Sequence, residues 1–182
     1  VIFIRGDAGT GKSRLIHEFK ASLQHESIQW FHGYAHAYSR NISYAPFRDL
    51  LNNMLKIGEG SSTERLKRSV EEKTGLPDEE STTVATCLGQ LYASCCPETS
   101  VLEPEIFKSR LHAAIRNLFK SQAEKSPTVF CLEDIHWADP SSLELIQTFE
   151  EFNCPALFIC TFRPAAHVLP GRNGSPKGLL YR

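Results

Sequence analysis

The chain has 182 residues, a formal net charge of -1 and a hydrophobic fraction of 41%, values typical of a globular domain with a buried core. The near balance of charge argues against a generally basic nucleic-acid-binding surface and against an acidic disordered tail. No apolar run approaches the roughly 20 residues that a membrane-spanning helix needs, so the sequence predicts no membrane segment.

The first predicted elements are a buried strand and a helix, joined by a glycine-rich turn. Residues 1–4 form a short β-branched apolar run, which suits a strand of a parallel sheet. Apolar residues at helical spacing then predict a helix over 13–23. A second strand is expected over 28–34, with Trp30 and Tyr34 on one face.

The middle of the chain is predicted to be mainly helical. A helix follows residues 44–46 and carries an apolar face that includes Phe47 and Leu51. After a flexible break at 58–62, the pattern predicts a charged, exposed helix over 63–73 and two further helices over 78–95 and 103–119. We expect residues 58–104 to form a helical insertion between the second and third strands.

The last third of the chain is predicted to contain strands around one helix. Residues 128–132 and 155–161 are too apolar for strands with a solvated face, and a fifth strand is expected to begin at Leu179, after a Gly/Pro-rich loop over 164–176. The helix over 141–152 carries Ser141 and Glu144 at the spacing of a capping box. Asp139 before Pro140 is a second natural N-cap.

Strands that are continuously apolar and alternate with helices predict an α/β fold with an open parallel sheet and helices on both faces. In such sheets, ligands bind outside the carboxyl ends of the strands. The residues that follow positions 4, 34, 132 and 161 are therefore the candidates for a functional site.

The segment after the first strand is a complete G-x-x-x-x-G-K-[ST] motif, a pattern that binds nucleotide phosphates. Its glycines let the backbone curl, so that consecutive N–H groups form an anion nest at a helix N-terminus. Lys12 supplies a charge for the β- and γ-phosphates, and the Ser13 hydroxyl can ligate Mg²⁺. The predicted phosphate-binding residues are Gly6, Asp7, Ala8, Gly9, Thr10, Gly11, Lys12, Ser13 and Arg14.

Two adjacent acids, Glu133 and Asp134, follow the apolar strand over 128–132. One carboxylate in this position can hold Mg²⁺, and the other can orient or deprotonate an attacking water. We assign Glu133 to the metal, together with Ser13, and Asp134 to the water, because adjacent strand residues point to opposite faces. The N-K-x-D sequence of GTPases is absent, so ATP is favoured over GTP, with Mg²⁺ as the cofactor.

Residues 133–144, EDIHWADPSSLE, resemble the Walker B signature of AAA-type signal-transduction ATPases with numerous domains, the STAND class. The stretches YAPFRDLL at 44–51 and FICTFRP at 158–164 match the same family. Its modules occur in large LuxR-type transcription regulators and in multidomain cyclases or kinases.

The resemblance implies a P-loop NTPase three-layer sandwich with a mostly parallel five-stranded sheet of the additional-strand type. In that fold the strand ending at Thr161 lies between the first strand and the strand that precedes the acids. Arg163 would then approach the γ-phosphate as a sensor that compensates the charge moved in phosphoryl transfer. The predicted catalytic residues are thus Asp134, Lys12 and Arg163.

Two features depart from the family pattern. Many relatives begin the acidic pair with Asp, whereas this chain has Glu133. The Gly-Arg-Glu segment that precedes the P-loop and the helical lid that follows the sheet are not in the sequence given. We therefore expect residues 1–182 to be a single P-loop ATPase core of a longer multidomain protein, truncated at both ends.

These residues predict a slowly hydrolysing, ATP-dependent switch in a multidomain signalling or transcription-regulatory protein. The expected partners are ATP, ADP and flanking domains of the same polypeptide, and nucleotide-dependent self-association is left open. We expect a cytoplasmic location, no membrane contact and no direct nucleic-acid binding by this segment. The alternatives are a nucleotide-binding scaffold with negligible hydrolysis, a DNA-loading ATPase and a small-molecule phosphotransferase.

Zinc binding is a further alternative, for His32 with His36 or for Cys95 with Cys96. The histidine pair lacks the Glu of a metalloprotease helix, and adjacent cysteines are poorly spaced for chelation. The pattern disfavours zinc. Cys131 and Cys160 lie in apolar runs, where a free thiol behaves as a small hydrophobic residue, and with no signal-peptide pattern we expect a reducing compartment.

Overall fold

The computed structural model describes residues 1–58, 61–92, 103–164 and 179–181. Its strands are β1 (Ile2–Arg5), β2 (Gln29–Tyr34), β3 (Thr128–Glu133), β4 (Ala156–Phe162) and β5 (Leu179–Tyr181). Its helices are α1 (Lys12–Ser22), α2 (Ala45–Leu55), α3 (Thr63–Thr74), α4 (Asp78–Tyr92), α5 (Pro104–Lys125) and α6 (Pro140–Gln147). Over the described ranges, no helix has the length and apolar character needed to cross a membrane.

The chain divides into two compact units, residues 1–50 with 126–182 and residues 51–125. The first unit contains a sheet in the order β2-β3-β4-β1-β5, in which every pair of neighbouring strands is parallel. The α/β class and the parallel sheet are therefore confirmed. Strands β1 to β4 pair over four to six residues each, and the expected fifth strand is a three-residue edge segment paired with β1.

One face of the sheet is covered by α1, through a buried cluster of Ile16, Val129, Cys131 and Ile159. The helix predicted from apolar residues at helical spacing is present, but two of those residues are not buried: Leu15 is 52% exposed and Phe19 is 37% exposed. Phe19 instead packs edge-on against Trp30 of β2 at the border of the sheet. Ile16 is thus the main contact between α1 and the sheet. The N-terminus of the helix lies directly after the turn that follows β1.

The opposite face of the sheet is filled by phenylalanine rings. Phe130 stacks between Phe31 and Phe158, and Phe149 continues the series to Phe47 of α2. Gly33 lies beside this cluster, where α2 begins close to β2. A Cβ at this position would overlap the carbonyl oxygen of Pro46, so the close approach of α2 to the strand depends on glycine.

The second unit consists of residues 51–125 and is built around α3, α4 and α5. Ser62 caps the start of α3 by accepting a hydrogen bond from the Arg65 N–H, and Gly75 ends the helix with φ 64°. The helix was expected to be exposed, but one side of it is not, because Leu66, Val70 and Thr74 are buried.

Two predicted boundaries in this part of the chain change or fall outside the described residues. Helix α5 runs to Lys125 and not to 119, because its apolar side continues through Gln122 and Ala123, which are buried. The predicted end of α4 at 95 and most of the predicted loop over 164–176 lie outside the described residues.

Helix α6 begins at Pro140, and Asp139 is its N-cap. The predicted capping box of Ser141 and Glu144 is wrong, because the Asp139 carboxylate accepts a hydrogen bond from the Ser142 N–H and starts the helix earlier. The helix also ends at Gln147 and continues as a single 3₁₀ turn over 148–150, whereas the sequence predicted a helix up to 152.

Replacing Gly33 with Ala tests the contact between α2 and β2. The new methyl group would force the start of α2 away from the sheet, so we expect the free energy of unfolding to fall by about 2–3 kcal/mol. The control is Gly58→Ala, since a Cβ at Gly58 meets no atom within 4 Å. Urea denaturation of both variants measures the difference, and equal stabilities would contradict the close approach.

Candidate functional site

The turn between β1 and α1 is wound into a loop by two glycines in the left-handed region, Gly9 with φ 79° and Gly11 with φ 90°. The Thr10 hydroxyl braces the turn by donating to the Asp7 carbonyl over 2.9 Å. Gly11 occupies the N-cap position of α1, and no side chain caps this helix start. The first turn of the helix therefore presents its N–H groups and the positive end of its dipole toward the loop, as an anion site requires.

Lys12 lies at the first position of α1, and its side chain folds back over the loop. Its Nζ donates hydrogen bonds to the carbonyl oxygens of Gly6, at 2.8 Å, and Asp7, at 2.9 Å. These bonds keep a positive charge next to the N–H groups of the loop. The loop and the lysine together form a site for an anionic, phosphate-like group.

A cavity of about 300 Å³ opens above this loop. It is lined by residues from three different parts of the chain: Ala8, Gly9, Gly11, Lys12, Ser13, Arg14, Asp134 and Arg163. The carboxyl ends of parallel strands β1, β3 and β4 meet at this edge of the sheet, which brings the loop, Asp134 and Arg163 together. Gly6, Asp7 and Thr10 shape the loop but do not line the cavity.

Glu133, the last residue of β3, is only 5% exposed. Its Oε2 accepts a hydrogen bond of 2.7 Å from the Ser13 hydroxyl, and its Oε1 lies 2.9 Å from Nε2 of His32. Burial raises the pKa of this carboxyl, but the contacts with His32 and Ser13, with the charge of Lys12, outweigh it and hold the pKa below its ordinary value. Glu133 is therefore ionised, and the Ser13 oxygen keeps its lone pairs for a second partner.

Asp134 follows β3 in a left-handed conformation, with φ 55°. Its N–H donates to the Thr161 hydroxyl of β4 over 2.9 Å, which stabilises this turn. The side chain is 44% exposed and lines the cavity. Glu133 and Asp134 therefore have different surroundings, because β3 ends at Glu133 and the chain leaves the strand through the left-handed turn at Asp134.

The structure places Arg163 directly after β4, exposed and at the wall of the cavity. Arg14 also lines the cavity; its side chain is 83% exposed and lies 3.8 Å from Glu18. Of the predicted catalytic and metal-binding residues, Lys12, Ser13, Asp134 and Arg163 thus line one cavity. Glu133 contacts Ser13, which lines that cavity.

His136 is a buried histidine beside the acidic pair, with a side chain that is 6% exposed. Neither ring nitrogen forms a hydrogen bond with the described residues, and Nδ1 lies 3.8 Å from Oδ1 of Asp134. Burial lowers the pKa of His136, the charges of Arg163 and Lys12 act in the same direction, and Asp134 opposes them. The ring is therefore neutral at pH 7 and packs against Trp137.

Asp139 connects α6 to the segment before α2. Besides capping Ser142, its Oδ2 accepts hydrogen bonds from the Ser142 hydroxyl, at 2.5 Å, and from the N–H of Tyr44, at 2.9 Å. Asp139 is 5% exposed, and Tyr44 has φ 58°. The structure thus supports the predicted capping role of Asp139. The same carboxylate also binds the backbone of Tyr44, the first residue of the YAPF segment.

His32, Cys131 and Glu133 form the one group of three closely placed potential metal ligands among the described residues, with ligand atoms within 4.8 Å of one another. His36, the zinc alternative from the sequence, is not in this group, and Cys95 and Cys96 lie outside the described residues. Burial, the charge of Glu133 and Cys160 raise the pKa of the Cys131 thiol. The thiol is therefore protonated when no metal ion is bound.

Sequence reasoning missed two partners of the acidic pair, His32 and Thr161. The sequence contained a signal for His32. With Trp30 and Tyr34 it lies on the side of β2 that adjoins the odd-numbered residues of β3, which include Glu133. Thr161 could not be found, because its hydroxyl contacts a backbone N–H that is positioned by the turn at Asp134.

The parallel sheet, the glycine-rich loop before α1 and the buried acid beside Ser13 define a P-loop nucleotide-binding α/β domain. A model of the AAA ATPase domain family matches residues 1–151. The chain belongs to this family.

The comparison with known proteins also found a distant relative. An uncharacterized protein of Rhizobium meliloti (strain 1021) is 26% identical to the chain over 174 residues, which cover 91% of the chain and 16% of that protein. The chain thus spans less than a fifth of the length of this curated relative. Strand β4 and Arg163 lie beyond the residues that the family model matches, although β4 is a strand of the same sheet.

The lowered pKa of His136 predicts how stability depends on pH. The unfolded chain binds a proton near pH 6.5 and the folded chain only at lower pH, so the contribution of His136 is complete above 6.5 and is lost as pH falls below it. The slope is at most about 1.4 kcal/mol per pH unit.

The measurement is the free energy of unfolding between about pH 5 and pH 7, for the parent chain and for His136→Phe. We expect a shallower slope in the variant. Glu133, with its lowered pKa, contributes to the pH dependence only below 4.5, outside this window. Identical slopes for the two proteins would show that His136 does not titrate differently in the folded state.

Proposed function

We propose that this chain is an ATP-binding and slowly hydrolysing module of the additional-strand type, acting as a nucleotide-dependent switch. The observation that carries the proposal is the single cavity shared by the P-loop, Asp134 and Arg163, next to the Ser13–Glu133 hydrogen bond. Membership of the AAA ATPase domain family indicates nucleotide binding.

The residues around the cavity fit a Mg²⁺–nucleotide. The loop offers N–H groups at an uncapped helix start, and Lys12 adds a positive charge. Ser13 and ionised Glu133 provide hard oxygen ligands of the kind that Mg²⁺ prefers. Held by Ser13 and Glu133, Mg²⁺ would supply positive charge to offset that of the phosphate groups.

The hydrolysis that we propose uses Asp134 as the general base. Water attacks the γ-phosphorus, its proton passes to Asp134, and the bond from the γ-phosphorus to the bridging oxygen breaks, which yields ADP and phosphate. Lys12 and Arg163 offset the negative charge on the phosphate oxygens as this bond breaks. Thr161 supports the base by holding its backbone turn.

The biological role that we propose is regulation within a larger polypeptide of the STAND class, for signal transduction or transcription control. Its support is the resemblance of residues 133–144 to that class and the much greater length of the rhizobial relative. Flanking domains would then be the partners, with self-association as a further one. The free cysteines among the described residues, Cys87, Cys131, Cys154 and Cys160, agree with a cytoplasmic location.

Two substitutions test binding and hydrolysis separately. Lys12→Ala removes the loop cation, and we expect the affinity for a fluorescent ATP analogue to fall at least about tenfold. Asp134→Asn keeps the shape of the side chain but not the base, so hydrolysis should fall about a hundredfold or more while the affinity stays within about threefold.

The matched control for Lys12→Ala is Lys20→Ala. Lys20 is on the same helix but lies 5.7 Å from the ring of Trp30, away from the loop, so this variant should bind and hydrolyse as the parent does. If Asp134→Asn hydrolyses ATP at the parental rate, the base is wrongly assigned. If the parent binds but shows no hydrolysis at all, the module is a nucleotide-binding scaffold.

A further inference from the structure

Glu133 has a second partner that the proposed reaction does not use. While Ser13 donates to Oε2, His32 of β2 places Nε2 at 2.9 Å from Oε1, with only 18% of the His32 side chain exposed. We propose that His32 is a positioning residue that restrains the carboxylate of Glu133 for Mg²⁺, with Trp30 setting Nε2 as the ring nitrogen that faces it. This inference rests on the proposed function, because it assigns Glu133 to the metal.

The tautomer follows from the chemistry of the two rings. The indole N–H of Trp30 lies 3.3 Å from Nδ1 of His32, and an indole nitrogen can only donate a hydrogen bond. Nδ1 must therefore be the accepting nitrogen of the ring. The ring proton is then on the other nitrogen, Nε2, which lies 2.9 Å from Oε1 of Glu133.

The orientation of the His32 ring is fixed by its neighbours along β2. Tyr34 stacks on it with a centroid distance of 4.8 Å and an interplanar angle of 17°, and Trp30 lies on the other side at 6.1 Å. Tyr34 is also the register partner of Glu133. Because the ring cannot turn without losing the stacking and the indole hydrogen bond, Nε2 stays within 2.9 Å of Oε1 of Glu133, a close polar contact whose angle does not meet that of a regular hydrogen bond.

An imidazole with Nδ1 engaged by Trp30 has a specific advantage at this position. A carboxylate can accept about four hydrogen bonds. Ser13 occupies one of these sites on Oε2, and Nε2 of His32 lies 2.9 Å from Oε1. A lysine or arginine in place of His32 would cancel the charge of Glu133, whereas a single ring N–H restrains the carboxylate and leaves the other sites for a cation.

The same geometry opposes a metal on His32 itself. A metal ion could bind Nε2 only after that nitrogen lost its proton, and the proton would then have to move to Nδ1, against the N–H of Trp30. The geometry therefore favours a positioning role over a zinc site at His32, Cys131 and Glu133.

The test compares His32→Phe, which keeps an aromatic ring, with His32→Gln, whose amide can replace the Nε2–H donor. The readout is the Mg²⁺ concentration that half-saturates the binding of a fluorescent ATP analogue. We expect it to rise about tenfold in His32→Phe and to recover to within about threefold in His32→Gln. Affinity for the analogue in EDTA should not change in either variant.

The matched control is His36→Phe, the same exchange four residues further along the aromatic series. His36 stacks between Tyr34 and Tyr38 and is exposed, so its variant should keep the parental Mg²⁺ requirement. If the parent binds the analogue with Mg²⁺ and His32→Phe has the same requirement as the parent, the positioning role is wrong. If the parent shows no Mg²⁺-dependent binding, the proposed function is wrong and the positioning role fails with it.

A second experiment does not depend on nucleotide and covers the case in which His32→Phe fails to fold. Long-range ¹H–¹⁵N NMR spectra of the free chain report which ring nitrogen of His32 is protonated, and we expect Nε2. In Trp30→Phe, which lacks the indole donor, we expect a mixture of both tautomers and a Mg²⁺ requirement raised about threefold. An unprotonated Nε2 in the parent, or an unchanged tautomer and Mg²⁺ requirement in Trp30→Phe, would overturn the inference.

Discussion

The ionised carboxylate of Glu133, buried at the end of a central strand, is the constraint on which the candidate site depends. A buried charge is tolerated only when polar groups compensate it. This one has two such groups: the Ser13 hydroxyl of α1 donates to Oε2, and Nε2 of His32 in β2 lies 2.9 Å from Oε1. The contact with Ser13 ties the start of α1, and with it the P-loop, to the strand that carries the acids. The contact with His32 extends the same restraint to the edge of the sheet.

The order of the strands supplies the remaining parts of the site. Because β4 lies between β1 and β3, the residues that follow it are next to both the loop and the acidic pair. The Thr161 hydroxyl accepts a hydrogen bond from the Asp134 N–H and so stabilises the left-handed turn. Arg163, two residues after Thr161, lines the cavity. The structure thus separates a restrained, buried acid from an exposed acid at the cavity, which suits a division into metal ligand and general base.

The sequence allowed the parallel sheet, the phosphate loop and the acidic pair to be predicted, because each depends on local pattern: an apolar run, a glycine spacing or a strand end. It did not allow the buried face of α1 to be predicted, since Leu15 and Phe19 have helical spacing but are exposed in the fold. The start of α6 was ambiguous because Asp139 and Ser141 are both good caps. The contact of Asp139 with the N–H of Tyr44, 95 positions away, agrees with Asp139 as the cap, and no local pattern contains that contact.

The central claim is that the P-loop and the acidic strand end form one Mg²⁺–nucleotide site through Ser13 and Glu133. A double-mutant cycle with Ser13→Ala and Glu133→Gln, read as the Mg²⁺ requirement for binding the ATP analogue, measures this coupling most directly. The account predicts strongly non-additive effects, with a coupling energy of about 1 kcal/mol or more. Effects that add to within about 0.3 kcal/mol would contradict a shared site.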